Sequence, residues 1–455
     1  LGERVLGERV LGERVLGERV LGERVLGERV LVSKQSESID ESRRTLVGSV
    51  GSSARAEVDE RGAIFPIDNA WSLGWWIGGD DRWHVPARES SVRQSAVESA
   101  PVLETLVHVP NGNIIQRVYG VSGPAGLIVV DIQNRSPGAA VIAFTINGSA
   151  ARPVRSVSLD GNTLVINGTP ALVLPFAPSR WFVSKAGEQP AIDAVVEGLA
   201  KTGSFPASED PKGLEVVIMY PLAHTARMRI ALALGDEWPD AVSLAELPSA
   251  DDAARGWLAL LDRATRVVLP DQRLMDRVML SRSQVLLNAD GGPIEVAALE
   301  DWGFDSEAEY AWHGLKLRDR RKARRRPAGA GVAANIKTPD GALLVVPSWP
   351  SAPSEFLVAL RQGLVCDTDG GVALLSVFPS EWYGQPVEVH AAPTRHGLVS
   401  FALRWHGLRP ALLWEVSSAA EGLVVTAPGL DSQWSSRELS GDALLSEPLN
   451  PPIAE

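Results

Sequence analysis

Cysteine is almost missing from this chain: Cys366 stands alone. A single thiol excludes an internal disulfide framework and any cysteine-based metal cluster, so neither an oxidising compartment nor a structural zinc site is implied. No run of 18 or more apolar residues occurs, which excludes an obvious hydrophobic membrane helix. No basic start followed by an apolar run is visible, so no signal peptide is expected, and cytoplasmic residence is the expectation. The first residue is Leu, which leaves room for a true start upstream. Cations are outnumbered, 44 Lys and Arg against 56 Asp and Glu, a net charge of -12. That balance disfavours non-specific nucleic-acid binding. Tyrosine is scarce too, 4 against 9 Phe, whereas there are 14 Trp. Indole faces stack on sugar rings, although filling a core is their commoner role.

Three families of motif are also missing. There is no Gly-x-Ser-x-Gly elbow for a serine nucleophile, and no glycine-rich loop of the P-loop or dinucleotide type. His390, His396 and His406 follow no known metal-ligand spacing, so no metal and no cofactor are expected. Asp367-Thr-Asp-Gly-Gly371 looks calcium-like but lacks the rest of a loop motif, and reads as a hairpin turn.

Residues 1–30 are Leu-Gly-Glu-Arg-Val six times without variation. A five-residue period makes no stripe on a helix, because it overshoots a full turn by about 140°. It alternates faces on a strand, because it is odd. Such identity in a charged repeat suggests a translated DNA repeat. The Ser-, Glu- and Arg-rich stretch from Leu31 to Arg61 reads as disordered.

From Ile64 the chain reads as short strands with turn punctuation. They are expected at 104–109, 114–121, 127–133, 140–146, 155–159, 163–166, 171–174, 214–220 and 226–234. Asp160-Gly161 and Asn167-Gly168 are tight-turn signals within a meander. This density of strands predicts a two-sheet sandwich. The segment Trp71 to Trp83 holds four Trp with Asp80, Asp81 and Arg82, and reads as a hairpin on the sandwich, with a sugar platform as the alternative.

At Ser249 the period changes. Helices are expected over 250–264 with Ser249 as cap, from Pro270-Asp271 to about Leu287, over 294–302 ended by Gly303, from an Asp305 cap to a stop at Pro327, and over 354–362 ended by Gly363. The run Lys316 to Arg326 carries eight Lys or Arg in eleven residues and reads as a solvated helix end. Residues 327–350 read as loop. Beyond 367 a second β-unit is expected, with Val399, Phe401, Leu403 and Trp405 on one face of a strand, a turn at 406–410 and a return over 411–416. The fold class is thus mixed β and α: a large N-terminal β-sandwich (62–248) after the 1–61 tail, a short helical region (249–366) and a small C-terminal β-domain (367–455).

This order resembles the six-hairpin glycosidases of the glucoamylase and glycogen-debranching type from high-GC bacteria. The similarity rests on Arg117-Val-Tyr-Gly-Val121 and Val129-Val-Asp-Ile-Gln-Asn-Arg-Ser136 in the sandwich. It rests also on Ala254-Arg-Gly-Trp-Leu258 with Val267-Val-Leu-Pro-Asp-Gln-Arg-Leu274 at the linker, and on Ala297-Ala-Leu-Glu-Asp-Trp-Gly-Phe304. In the last domain it rests on Gly384 to His390, Pro393 to Gly397, and Arg404 to Glu415. It covers about residues 62–315 and 353–445. Such a barrel has twelve helices, and about five fit between 252 and 366, so the helical region resembles a truncated (α/α)6 barrel. Directly after Asn288-Ala-Asp-Gly-Gly292, where a substrate loop is expected in the relatives, Pro293 follows.

Glycoside hydrolysis needs two carboxylates flanking one bond, one of them with a raised pKa. The candidate acids are Glu300 and Asp301 beside Trp302, Glu381 beside Trp382 and Tyr383, and Glu388. Candidate sugar contacts are Trp302, Trp382, Tyr383, Arg395 and His396. The resemblance implies a carbohydrate-related protein whose catalysis is impaired by loss of most of the barrel, with an oligosaccharide as the expected partner and neither nucleic acid nor membrane. Two alternatives stay open: an active hydrolase of α-glucan-like oligosaccharides, and a decayed or mis-assembled reading frame without function.

Overall fold

The computed structural model describes residues 44–446, apart from 53, 68, 123–125, 150, 235–242, 289–290, 325–332, 338–342, 348 and 418–421; side chains of 321–348 are likewise outside the description. The repeat of residues 1–30 and the stretch to residue 43 therefore lie outside the described residues.

The N-terminal half is two stacked antiparallel sheets. One has eight strands and centres on Trp71–Gly78, Ala140–Gly148 and Leu214–Leu222. The other has nine and centres on Gly112–Val121, Leu127–Arg135 and Arg227–Ala233. Their facing side chains form one core, in which Leu73, Trp75, Ile77, Phe144 and Ile218 meet Ile114, Val118, Val130, Ile132 and Ile230. Alternation dictates this arrangement: along 71–78 every second residue is buried. Burying each such side chain stabilises by roughly 1.5–3 kcal/mol. Asn167 and Gly168 both take positive φ in a two-residue hairpin loop, as a primed turn requires. The other meander turn is centred one residue later than expected, on Gly161 and Asn162 between the paired Asp160 and Thr163.

Two strands lie inside the stretch expected to be disordered, Thr45–Gly48 and Arg55–Val58. Each is four residues long and joins the edge of the eight-stranded sheet. Val47, Ala56 and Val58 are buried there, so partner strands supply order that the charged local composition conceals. The Trp71 to Trp83 segment does form a hairpin, with Ile77 paired to His84 and Gly78 to Trp83. Its first strand lies within the sheet, bonded to Ala140–Gly148, rather than on top of it.

Seven α-helices are found among the described residues: α1 (Ala191–Val196), α2 (Ala250–Leu261), α3 (Gln272–Leu287), α4 (Pro293–Trp302), α5 (Asp305–Gly314), α6 (Leu317–Arg324) and α7 (Pro353–Leu364). Helix α1 falls within the sandwich, outside the helical region that the sequence predicts. Ser249 and Asp252 close a reciprocal capping box on α2. Asp271 caps α3 by accepting from the backbone of Arg273 and Leu274. Gly303, at φ 81°, ends α4.

Three helix expectations need correction. Asp305 is the first residue of α5 rather than its cap, because buried Phe304 turns the chain by bonding back to Leu299 O at 2.9 Å. The single long helix expected up to Pro327 is broken after Gly314, where Leu315 is extended. Arg320 holds that break, donating to the carbonyls of Leu315 (3.0 Å) and His313 (2.7 Å). Gly363 does not end α7, which runs on to Leu364; both residues are buried, so packing offsets the roughly 1 kcal/mol cost of a helical glycine.

Beyond α7 two further sheets form. A four-stranded sheet contains Val365–Thr368, Gly371–Leu374, Val424–Ala427 and Asp431–Ser436. A five-stranded sheet contains Val387–Thr394, Gly397–His406, Arg409–Ser417 and Ser440–Leu444, with Arg266–Val268 from the linker as its edge. No helix among the described residues is long and apolar enough to cross a membrane.

Candidate functional site

One apolar core unites the helices, the C-terminal sheets and the back of the nine-stranded sheet, which contributes Val102, Tyr119 and Val129. Helices α4 and α7 are apolar on nearly every side and run through it. Two buried arginines sit in this core. Arg361 of α7 donates to the carbonyls of Asp301, Val365 and Pro393, tying α4 to both C-terminal sheets. Arg282 of α3 donates to Leu261 O at 2.5 Å and lies over the rings of Trp302 and Phe304. Burial pulls its pKa down to about 10.

Against this frame the expected site residues separate. Trp302 is 0% exposed and its indole N–H donates to Leu357 O at 3.0 Å, so its faces are packed against protein. Asp301 is buried on α4 and Glu300 half-buried beside it. Glu388 lies on the five-stranded sheet, where Arg404 and His390 bond its carboxylate. The Arg404 bond first, then the His390 bond, hold its pKa below the usual range. A carboxyl so ionised is poorly suited to donate a proton. Arg395 and His396 sit together on the turn after Val387–Thr394. Both approach the Thr368 carbonyl, and the Arg395 backbone donates to Asp367 at 3.0 Å. Tyr383 joins Phe378 and Trp405 in an aromatic cluster, and burial pushes its phenol up. Among the described residues no group of three His, Cys, Asp or Glu is placed to hold a metal ion.

Glu381 and Trp382 differ: Glu381 is exposed, and Trp382, only 4% exposed, still borders the same open cleft. They lie on a short 3-10 turn, Ser380–Trp382, and line a cleft of about 560 Å³ between the start of α3 and the C-terminal region. Arg273, Arg277, Trp349 and Gln385 complete its working surface. Glu381 is exposed, and Trp382 packs edge-on against Phe378 at 5.9 Å. Trp349 is half-buried and meets Phe356 edge-on at 6.1 Å. The guanidinium of Arg277 lies over the ring of Phe356, 3.9 Å from its centroid, and donates to Pro350 O. The second carboxylate of the cleft, Asp271, is engaged as the cap of α3.

Sequence reasoning missed Arg273, Arg277, Trp349 and Gln385. The first two carried a signal, since a spacing of four places both on one face of the expected helix. Trp349 fell within the stretch read as loop. No family model matches the chain, and a search of curated proteins finds no match.

Proposed function

We propose that this protein is a glycoside-hydrolase-like saccharide-binding scaffold that holds an oligosaccharide in the Trp349–Trp382 cleft without cleaving it. The observation that carries the reading is the lining of that cleft: indole surface beside guanidinium, carboxylate and amide groups. Aromatic faces take up the C–H side of a sugar ring, and polar groups at the rim bond its hydroxyls. The order of sandwich, helices and terminal β-sheets supports the same reading, since it resembles a sugar-processing layout.

Hydrolysis is disfavoured by how the acids are dispersed. Of the four candidate carboxylates only Glu381 lines the cleft. Its companion there, Asp271, is spent on capping α3. Glu388 is bound by Arg404 and His390 on another face.

Titration calorimetry with a panel of neutral and acidic oligosaccharides tests the proposal. Saturable binding that Trp349→Ala removes is expected, with no new reducing ends on prolonged incubation. Release of reducing sugar that Glu381→Gln or Glu300→Gln abolishes would show an active hydrolase instead.

A further inference from the structure

The charges that line the cleft are separated rather than paired. Arg273 and Arg277 are one helical turn apart on α3 and both line it. Neither forms an ion pair with a described residue. Arg273 is exposed, and its guanidinium makes no hydrogen bond within the described chain. Arg277 is half-buried, with a backbone carbonyl and an aromatic face as its partners. Burial lowers its pKa, so the protein holds this cation at a desolvation cost that no described carboxylate offsets. Neither nearby acid pairs with them: Asp271 accepts from the backbone of Arg273 and Leu274, and Glu381 makes no ion pair with either arginine.

A neutral glycan needs hydrogen-bonding groups but not two neighbouring guanidinium groups without carboxylate partners. Guanidinium groups are the side chains best matched to planar or tetrahedral oxyanions. Resting on the saccharide-binding reading of the same cleft, we infer that its ligand is an acidic saccharide, whose anionic group is held by Arg273 and Arg277 while a sugar ring lies against Trp349. A uronate carboxylate and a sugar phosphate share this chemistry, so the two are separate arms of the test.

The test is titration calorimetry on the full chain with three probes: trigalacturonate, maltotriose and a phosphorylated maltotriose. At least roughly tenfold tighter binding of one charged probe than of maltotriose is expected, a preference that weakens as NaCl rises from about 50 to 500 mM. Whichever charged probe wins identifies the anion. Arg273→Gln should erase the preference, and because that side chain bonds nothing described, its fold is expected to survive. Glu381→Gln, which removes a negative charge from the cleft, should widen the preference for the charged probe over maltotriose. Equal binding of all three probes, insensitive to salt and to Arg273→Gln, would overturn the acidic ligand and leave the saccharide reading standing. Binding of none would overturn both.

Discussion

Arg361 concentrates much of the chemistry that holds helices α4 and α7 to the C-terminal sheets. Arg361 satisfies three carbonyls from three parts of the chain and is 4% exposed. Replacing it by Met would keep the bulk and remove the donors. Each buried carbonyl left without a partner costs roughly 1–3 kcal/mol. Arg361→Met is therefore expected to lower stability by about 3 kcal/mol or more in urea unfolding, and a loss below about 1 kcal/mol would contradict the role given to it. Glu388 makes a pH-dependent contribution. Its folded pKa lies below the ordinary 4.5, so folding favours the ionised form. The stabilisation is present above about 4.5 and is lost as pH falls through the lower folded value. Part-exposed ion pairs contribute about 0.2–1 kcal/mol, so Glu388→Gln should be less stable than the parent by that order at pH 7, a gap that narrows as the pH falls below about 4.5. A gap that widened in acid would refute the assignment.

Among the elements, some are legible in the sequence and others are not, for identifiable reasons. Nine of the eleven strands between Val102 and Ala233 announce themselves by alternation and by turns such as Asn167-Gly168, and their positions agree with the structure to within about two residues, whereas Arg180–Lys185 and Ser208–Glu209 are not among those the sequence predicts. Helices α2, α3 and α4 are marked by Ser249, Asp271 and Gly303, which do cap them. Thr45–Gly48, Arg55–Val58 and Arg266–Val268 carry no such signal, because three or four residues cannot show a period, and the last pairs with the distant Val387–Thr394. The site is legible only in part. Glu381 and Trp382 stand out beside each other in sequence, but their meeting with Arg273 and Trp349 is tertiary. One close approach between elements gives a sharp prediction. A Cβ on Gly120 would lie 2.1 Å from the backbone of Gly48, where the first strand passes over the nine-stranded sheet. Backbone on both sides cannot yield, so Gly120→Ala should destabilise by about 3 kcal/mol or more, at the upper end of overpacking costs. Thermal unfolding within about 2 °C of the parent would disprove that contact.

Across the whole molecule the helices do not stand as a separate layer. Gln284 of α3 exchanges two hydrogen bonds with the backbone of Leu46, and Arg55 donates to Leu287 O, so the sandwich edge grips the end of α3. Tyr119, Asp131 and Arg229 form a network that holds the linker at Leu244, Leu247 and Pro248. At the far side Arg266–Val268 completes the C-terminal sheet. The cleft lies where α3 meets the C-terminal region, and α3, α7 and the C-terminal sheets behind it share one apolar core. A concave surface backed by a packed core suits binding, because little ordering is required of it when a ligand enters. The decisive measurement is a paired one on a single preparation: calorimetric affinity for an oligosaccharide panel, and reducing ends formed from the same ligands. Binding that Trp349→Ala removes, with no reducing ends above the protein-free control, is the predicted result. Turnover that Glu381→Gln abolishes, or no binding to any member of the panel, would contradict a non-catalytic saccharide scaffold.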